Sequence, residues 1–139
     1  MKTAIDSNII SAVFCLEPSS SALIALLGRL RLTGALVICG AVYAEVHAIP
    51  DMTPMLLGEF LKDTGIVVEA HTSLEDWRVI GQVFAAYAER RRKDGDGQGK
   101  RLLADFVVGA HAAKHCDQLL TLDPKRYSQG FPDLTLLSV

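Results

Sequence analysis

The sequence contains few cysteines, and their spacing fits no common use. Cys15, Cys39 and Cys116 are the three cysteines among 139 residues, and no pair has the Cys-x-x-Cys spacing. An odd number without that spacing argues against a disulfide framework and against a thiolate zinc site. Because all three stand in apolar sequence, we expect small, buried, reduced side chains.

Long apolar runs and an excess of one charge are also missing. No stretch approaches the ~20 apolar residues that span a bilayer, so we expect no membrane partner. The N-terminus reaches Asp6 before the hydrophobic segment of a signal peptide could form, which predicts a cytoplasmic protein. Lys and Arg number 14 against 16 Asp and Glu. This balance excludes a protein that coats nucleic acid by bulk charge, though not one with a local basic patch.

Apolar residues and their spacing predict the fold class. Half of the residues are hydrophobic, which excludes a disordered chain and predicts a single domain over residues 1–139. Predicted strands cover residues 2–5, 35–39, 65–70, 119–122 and 134–137. Predicted helices cover residues 7–15, 21–32, 41–49, 53–62 and 102–115, with a long helix that begins after Ser73 and a turn or short helix at 124–127. This alternation predicts an α/β fold with a mainly parallel central sheet flanked by helices.

Four carboxylates stand near the carboxyl edge of that predicted sheet, where sites in such folds lie. Asp6 and Asp123 end predicted strands, whereas Glu45 and Asp105 lie on helices in apolar sequence. A buried carboxylate without a partner is costly, and a cation shared by converging carboxylates would remove that cost. Ligation by oxygen alone favours Mg²⁺ or Mn²⁺ over zinc.

Three of these carboxylates also have an ordinary structural explanation. Asp6 could cap the following helix, Asp105 could favour a helix N-terminus, and Asp123 could be a turn residue. Any one of these explanations suffices for a single residue. All four carboxylates on one edge of the sheet favour a shared site.

Four segments, in order along nearly the whole chain, carry a family resemblance. They are Asp6-Ser7-Asn8-Ile9-Ile10, Val42-Tyr43-Ala44-Glu45-Val46, residues 103–112 and Leu120-Thr121-Leu122-Asp123. Together they resemble the signature segments of PIN-domain ribonucleases, and within these the VapC-like toxins of toxin–antitoxin pairs. The resemblance implies a PIN-like fold and a metal-dependent endoribonuclease that uses Mg²⁺ or Mn²⁺.

The same resemblance implies roles for individual residues. The family's acidic positions are matched by Asp6, Glu45, Asp105 and Asp123. Thr121 matches a hydroxyl residue that supports the metal site or the scissile phosphate. Asn8 matches a position that orients the first carboxylate, although an Asn8 side chain bonded to its own backbone is an equal alternative.

Basic and apolar residues bear on the expected partners. An RNA backbone could contact Lys100, Arg101, Lys125 and Arg126. The basic run at residues 90–93 fits contacts with RNA and a solvated helix end equally well, and it precedes a predicted glycine-rich loop at 94–99.

Helices 21–32 and 53–62 are more apolar than a thin sheet requires. This favours a homodimer and a cognate antitoxin over packing of the two helices on each other. His111 is expected to be a packed or hydrogen-bonded helix residue.

Other classes of protein fit less well. A metal-dependent phosphatase that starts from a strand-end aspartate usually has a second aspartate two residues later, where this chain has Asn8. A phosphoacceptor domain would need an acidic pair near the first strand. An inactive PIN-like module that binds RNA or a partner protein would not need all four carboxylates.

Overall fold

The computed structural model describes residues 1–95 and 100–139. Its strands are β1 (Thr3–Ile5), β2 (Leu36–Cys39), β3 (Ile66–Glu69), β4 (Gln118–Leu120) and β5 (Thr135–Leu137). Its helices are α1 (Ser7–Phe14), α2 (Ser20–Thr33), α3 (Gly40–Glu45), α4 (Pro54–Thr64), α5 (Leu74–Asp94), α6 (Leu103–His115) and α7 (Lys125–Ser128). A 3₁₀ turn, Val46–Ala48, follows α3 directly.

The five strands form one parallel sheet in the order β3-β2-β1-β4-β5. The three middle strands are buried along their whole length, as a sheet covered on both faces requires. Ile5 lies opposite Leu120 in neighbouring strands, so the residues that follow them, Asp6 and Thr121, leave the sheet side by side. The predicted parallel α/β fold is confirmed.

Helix α6 is a largely buried helix that carries Asp105. It packs against β1, β2 and β4, and its segment from Asp105 to Ala110 is buried. Helix α5 packs on α6 through an aromatic group in which the Phe106 ring centroid lies 5.3 Å from that of Phe84 and 5.2 Å from that of Tyr87. Phe84 and Tyr87 are therefore partly buried and pack against the core, whereas Trp77 is 46% exposed.

Capping residues set the ends of helices α4 and α5. Thr53 accepts a hydrogen bond from the Leu56 amide, and Gly65 ends the same helix in the left-handed conformation. At the start of α5, the Ser73 hydroxyl accepts from the Asp76 amide and the Asp76 carboxylate accepts from the Ser73 amide. This reciprocal pair is a capping box with aspartate in place of the usual glutamate.

Three sequence predictions need correction. The predicted helix at 41–49 is shorter, because α3 ends at Glu45 and the chain tightens into the 3₁₀ turn before Pro50. Strand β4 ends at Leu120, so Asp123 lies in the turn beyond the strand. Cys15 is exposed at the end of α1 and Cys116 is only partly buried, so the expectation of three buried thiols holds for Cys39 alone.

Positions 96–99 of the predicted glycine-rich loop lie outside the described residues, and Asp94 ends α5. Of the helices within the described residues, none has both the length and the apolarity needed to cross a membrane.

Candidate active site

Asp6 is the most constrained of the four carboxylates. Its side chain is buried, and it caps α1 by accepting a 2.8 Å hydrogen bond from the Ser7 amide at Oδ1. Oδ2 accepts two more hydrogen bonds of 2.8 Å, from the hydroxyls of Thr121 and Tyr127. Three donors fix the orientation of this carboxylate, so the capping explanation and a functional role hold together.

Tyr127 is the residue that sequence reasoning missed. It lies in α7 with its side chain buried, and burial together with the Asp6 charge raises the pKa of its hydroxyl. The Tyr127 hydroxyl therefore stays protonated and donates to Asp6. The available signal was an aromatic residue in the predicted turn after Asp123, which did not reveal the direction of its hydroxyl.

Thr121 connects Asp6 to the other side chains of the first and fourth segments. While donating to Asp6, its hydroxyl accepts from the Asp123 amide at 3.0 Å and from Asn8 Nδ2 at 3.3 Å. One donor and two acceptor positions are the full capacity of a hydroxyl. Asn8 Oδ1 also accepts from the Leu122 amide at 3.2 Å. The Asn8 side chain therefore contacts Thr121, whose hydroxyl in turn contacts Asp6.

Asp105 and Asp123 face each other across the Arg126 side chain. Asp105 is mostly buried in the first turn of α6, where its Oδ2 accepts from the Leu102 amide at 2.9 Å. Its Oδ1 lies 3.6 Å from Arg126 Nη1. Asp123 is half-exposed, and its Oδ2 lies 3.3 Å from Arg126 Nη2.

Glu45 completes the group from the end of α3. Burial raises the pKa of its carboxyl, and the charges of Asp6 and Asp105 raise it further, while Arg126 and a hydrogen bond with Ser7 lower it. Glu45 also borders an open groove of ≈ 360 Å³ together with Ser7, Asn8 and Ser11. The structure therefore brings Glu45 into the electrostatic field of Asp6 and Asp105.

The four carboxylates suit a hard divalent cation. Every donor atom is oxygen, and Asp6 and Asp105 are held in place by hydrogen bonds that leave lone pairs free. Burial, followed by the charges of Asp6 and Asp105, raises the pKa of Glu45, so the ionised form of this carboxylate is disfavoured without a cation. Concentrated oxygen donors in a partly buried place are what Mg²⁺ or Mn²⁺ binding requires.

The predicted RNA contacts fall into two groups. Arg101 Nη2 donates to the Lys125 carbonyl at 3.4 Å, and with Lys100 it borders an open groove of ≈ 420 Å³ beside Tyr87 and Arg91. Lys125 is exposed. Arg126, by contrast, points at the carboxylates.

A separate cluster of possible metal ligands lies between the C-terminal half of α6 and the end of β3. Donor atoms of Glu69, His111 and Cys116 are within 4.8 Å of one another. The Glu69 carboxylate is already engaged, because Lys2 Nζ lies 2.6 Å from Oε2 and His111 Nε2 lies 2.8 Å from Oε1. Burial raises the pKa of Cys116 to about 11, so its thiol is protonated. Glu69 is thus paired with Lys2, and His111 is hydrogen-bonded as predicted, through Nε2 alone. The buried Nδ1 of His111 has no hydrogen-bond partner among the residues that the structure describes.

Comparison with known proteins identifies the family. A family model of the PIN domain matches residues 3–130, so the chain belongs to the PIN domain family, whose members are nucleases. No curated protein sequence matches the chain. The resemblance noted in the four sequence segments is therefore confirmed at the level of the family.

Two solved structures share the fold. A chain in the crystal structure of VapBC2 from Rickettsia felis, bound to a DNA fragment from its promoter, is 19% identical with a TM-score of 0.71, covering 99% of this chain and 98% of that one. A chain of FitAcB from Neisseria gonorrhoeae is 18% identical with a TM-score of 0.59, covering 97% of this chain and 96% of that one.

The raised pKa of Glu45 predicts a pH-dependent gain in stability from Glu45→Gln. An acid whose pKa is raised by folding opposes folding when ionised, and this opposition vanishes below its unfolded value of about 4.3. We expect the variant to raise the Tm of the metal-free protein at neutral pH and to lose this advantage near pH 3.5. Scanning calorimetry in EDTA measures both.

The matched control is Glu59→Gln, which removes an exposed glutamate from α4. It should leave the Tm nearly unchanged at both pH values. A lower Tm for Glu45→Gln at neutral pH, or an equal gain in the control, would contradict the electrostatic account of Glu45.

Proposed function

We propose that this chain is a divalent-metal-dependent endoribonuclease in which Asp6, Glu45, Asp105 and Asp123 hold Mg²⁺ or Mn²⁺. The observation that carries the proposal is the buried Asp6 carboxylate, oriented by three donors beside three further carboxylates. Residues 1–139 would act as one domain, because the first strand lies at the centre of a sheet whose last strand comes from the C-terminal end.

The protein's own part in the reaction is orientation and electrostatics. A divalent cation held by Asp6, Glu45, Asp105 and Asp123 would supply an activated water and would neutralise charge on the phosphodiester. The hydroxyls of Thr121 and Tyr127 donate hydrogen bonds to Asp6 Oδ2, and Oδ1, which accepts from the Ser7 amide, keeps a free lone pair. The Leu102 amide binds Oδ2 of Asp105, and Oδ1 of the same carboxylate lies beside Arg126. Carboxylates held in this way would keep their positions during hydrolysis of the phosphodiester.

Basic side chains around the cluster would hold the RNA. Lys100 and Arg101 lie just before α6, and Lys125 lies at the start of α7, where its carbonyl accepts from Arg101. Contacts of such side chains with phosphates give affinity for RNA without selecting its sequence. The groove beside Glu45 and Asn8 provides a second surface for the chain of nucleotides.

The direct test is loss of metal-dependent RNA cleavage in Asp105→Asn. The substitution removes charge at nearly constant volume, so we expect cleavage with Mg²⁺ to fall at least about 100-fold. Asp6→Asn should do the same, although its amide would face donor groups and its folding needs a check by circular dichroism. The exposed Asp133→Asn is the matched control and should retain full activity.

The outcomes separate the alternatives. Full cleavage in both carboxylate variants would contradict the proposed mechanism. No cleavage by the wild type, with RNA still bound, would favour an inactive PIN-like module. Hydrolysis of phosphomonoesters without RNA cleavage would favour a metal-dependent phosphatase.

We also propose that the nuclease is the toxin of a toxin–antitoxin pair. The structural similarity to chains of VapBC2 and FitAcB supports this role. Helices α2 and α4 leave Ile24, Leu32 and Met55 exposed, and apolar surface of this kind suits a homodimer or an antitoxin.

Co-expression with the adjacent small reading frame tests the toxin role. We expect relief of growth inhibition and a stable complex with the product of that frame, and a dimer by light scattering when the chain is purified alone. Neither complex nor relief would contradict the toxin role while leaving the nuclease intact, and a monomer at high micromolar concentration would contradict the dimer.

A further inference from the structure

A cation of the protein itself lies among the proposed metal ligands. Arg126 places Nη1 at 3.6 Å from Asp105 Oδ1 and Nη2 at 3.3 Å from Asp123 Oδ2. Its charge reaches Glu45 as well, where burial raises the pKa and Arg126 lowers it. The guanidinium therefore stands in the field of the carboxylates that are proposed to bind a divalent cation.

The contacts of Arg126 are loose. Charge-assisted N–H···O bonds measure ≈ 2.7–2.9 Å, and both distances from Arg126 are longer. The two nitrogens also face different carboxylates, so they form no bidentate pair with either one. The side chain is 37% exposed, and water screens the attraction. Such a guanidinium can leave the carboxylates at little cost.

The backbone beside Arg126 is held in place. Tyr127 is buried next to it and donates to Asp6, which fixes α7 against the start of α1. Movement is therefore confined to the Arg126 side chain, whose length allows it to turn towards solvent without any change in the fold.

We propose that Arg126 is an internal counter-ion of the carboxylate cluster, which a divalent cation displaces when it binds. The proposal rests on the proposed function, because it takes the four carboxylates as metal ligands. Without metal, the guanidinium offsets part of the repulsion among the carboxylates. A divalent cation takes over that role and repels the guanidinium from Asp105 and Asp123. Arg126 thus weakens metal binding, and its displacement leaves it available to an anion such as an RNA phosphate.

Lys125 provides a matched comparison. It precedes Arg126 in the same short helix and carries the same charge, but it is exposed. Within the residues that the structure describes, no ion pair joins its ammonium group to a carboxylate. Loss of Lys125 therefore reports the general effect of one positive charge near the site, without removing the counter-ion.

Calorimetric titration of the full chain with Mn²⁺ tests the proposal. We expect Arg126→Gln to bind Mn²⁺ roughly tenfold more tightly than the wild type, because the competing charge is gone. Lys125→Gln should differ from the wild type by less than about twofold, and Arg126→Lys, which keeps the charge, should stay close to the wild type. Equal shifts in Arg126→Gln and Lys125→Gln, or weaker binding in Arg126→Gln, would overturn the proposal.

A second measurement follows the displacement itself. In ¹⁵N NMR spectra of the arginine side chains, the Nε–Hε signal that is missing from Arg126→Gln should move during a titration with Mg²⁺, with the same half-saturation as metal binding. An Arg126 signal that stays in place while Mg²⁺ saturates the protein would overturn the displacement.

Asp105→Asn separates failure of this proposal from failure of the proposed function. If Asp105→Asn abolishes Mn²⁺ binding while Arg126→Gln leaves the affinity unchanged, the carboxylates hold the metal and the counter-ion role alone is wrong. If Asp105→Asn binds Mn²⁺ as tightly as the wild type, the metal lies elsewhere and both proposals are overturned.

Discussion

The buried carboxylate of Asp6 is the constraint on which the rest of the site depends. An ionised carboxylate can be buried only when its oxygens are paired, and here the Ser7 amide and two hydroxyls pair them. Those hydroxyls come from Thr121 and Tyr127, over a hundred residues away in sequence, so the pairing also fastens the C-terminal segment to the first strand. The same contacts bring Asp123 and Arg126 next to Asp105.

Much of this arrangement follows from the sequence. The apolar runs of β2 and α6 identify buried elements, and the position of Asp6 directly after β1 places it at the carboxyl edge of a parallel sheet. The order of the four segments then identified the family. These features can be predicted because buried elements appear in the sequence as apolar residues at regular spacing, and because a strand ends where its apolar run stops.

What the sequence did not reveal depends on side-chain direction and on contacts across long separations. Periodicity says nothing of the Tyr127 hydroxyl, which donates to Asp6, or of Arg126, which turns inward to two carboxylates although a basic residue after a strand suggests an outward phosphate contact. The apolar neighbours of Cys15 likewise predicted a buried thiol, but Cys15 is exposed. The end of a short helix can lie at the surface even when the rest of the helix is buried. Possible metal ligands also meet where the sequence did not indicate a metal site, at Glu69, His111 and Cys116. There the ammonium group of Lys2 already balances the charge of Glu69.

The central claim is that the carboxylates around Asp6 hold the metal. Anomalous diffraction from crystals soaked in Mn²⁺ at near-neutral pH tests it most directly, because the anomalous signal locates the ion without reference to activity. The account predicts a peak ligated by oxygen atoms of Asp6 and Asp105, at about the 2.0–2.2 Å typical of a magnesium-like ion. A peak on Glu69, His111 and Cys116, with none at Asp6, would contradict it.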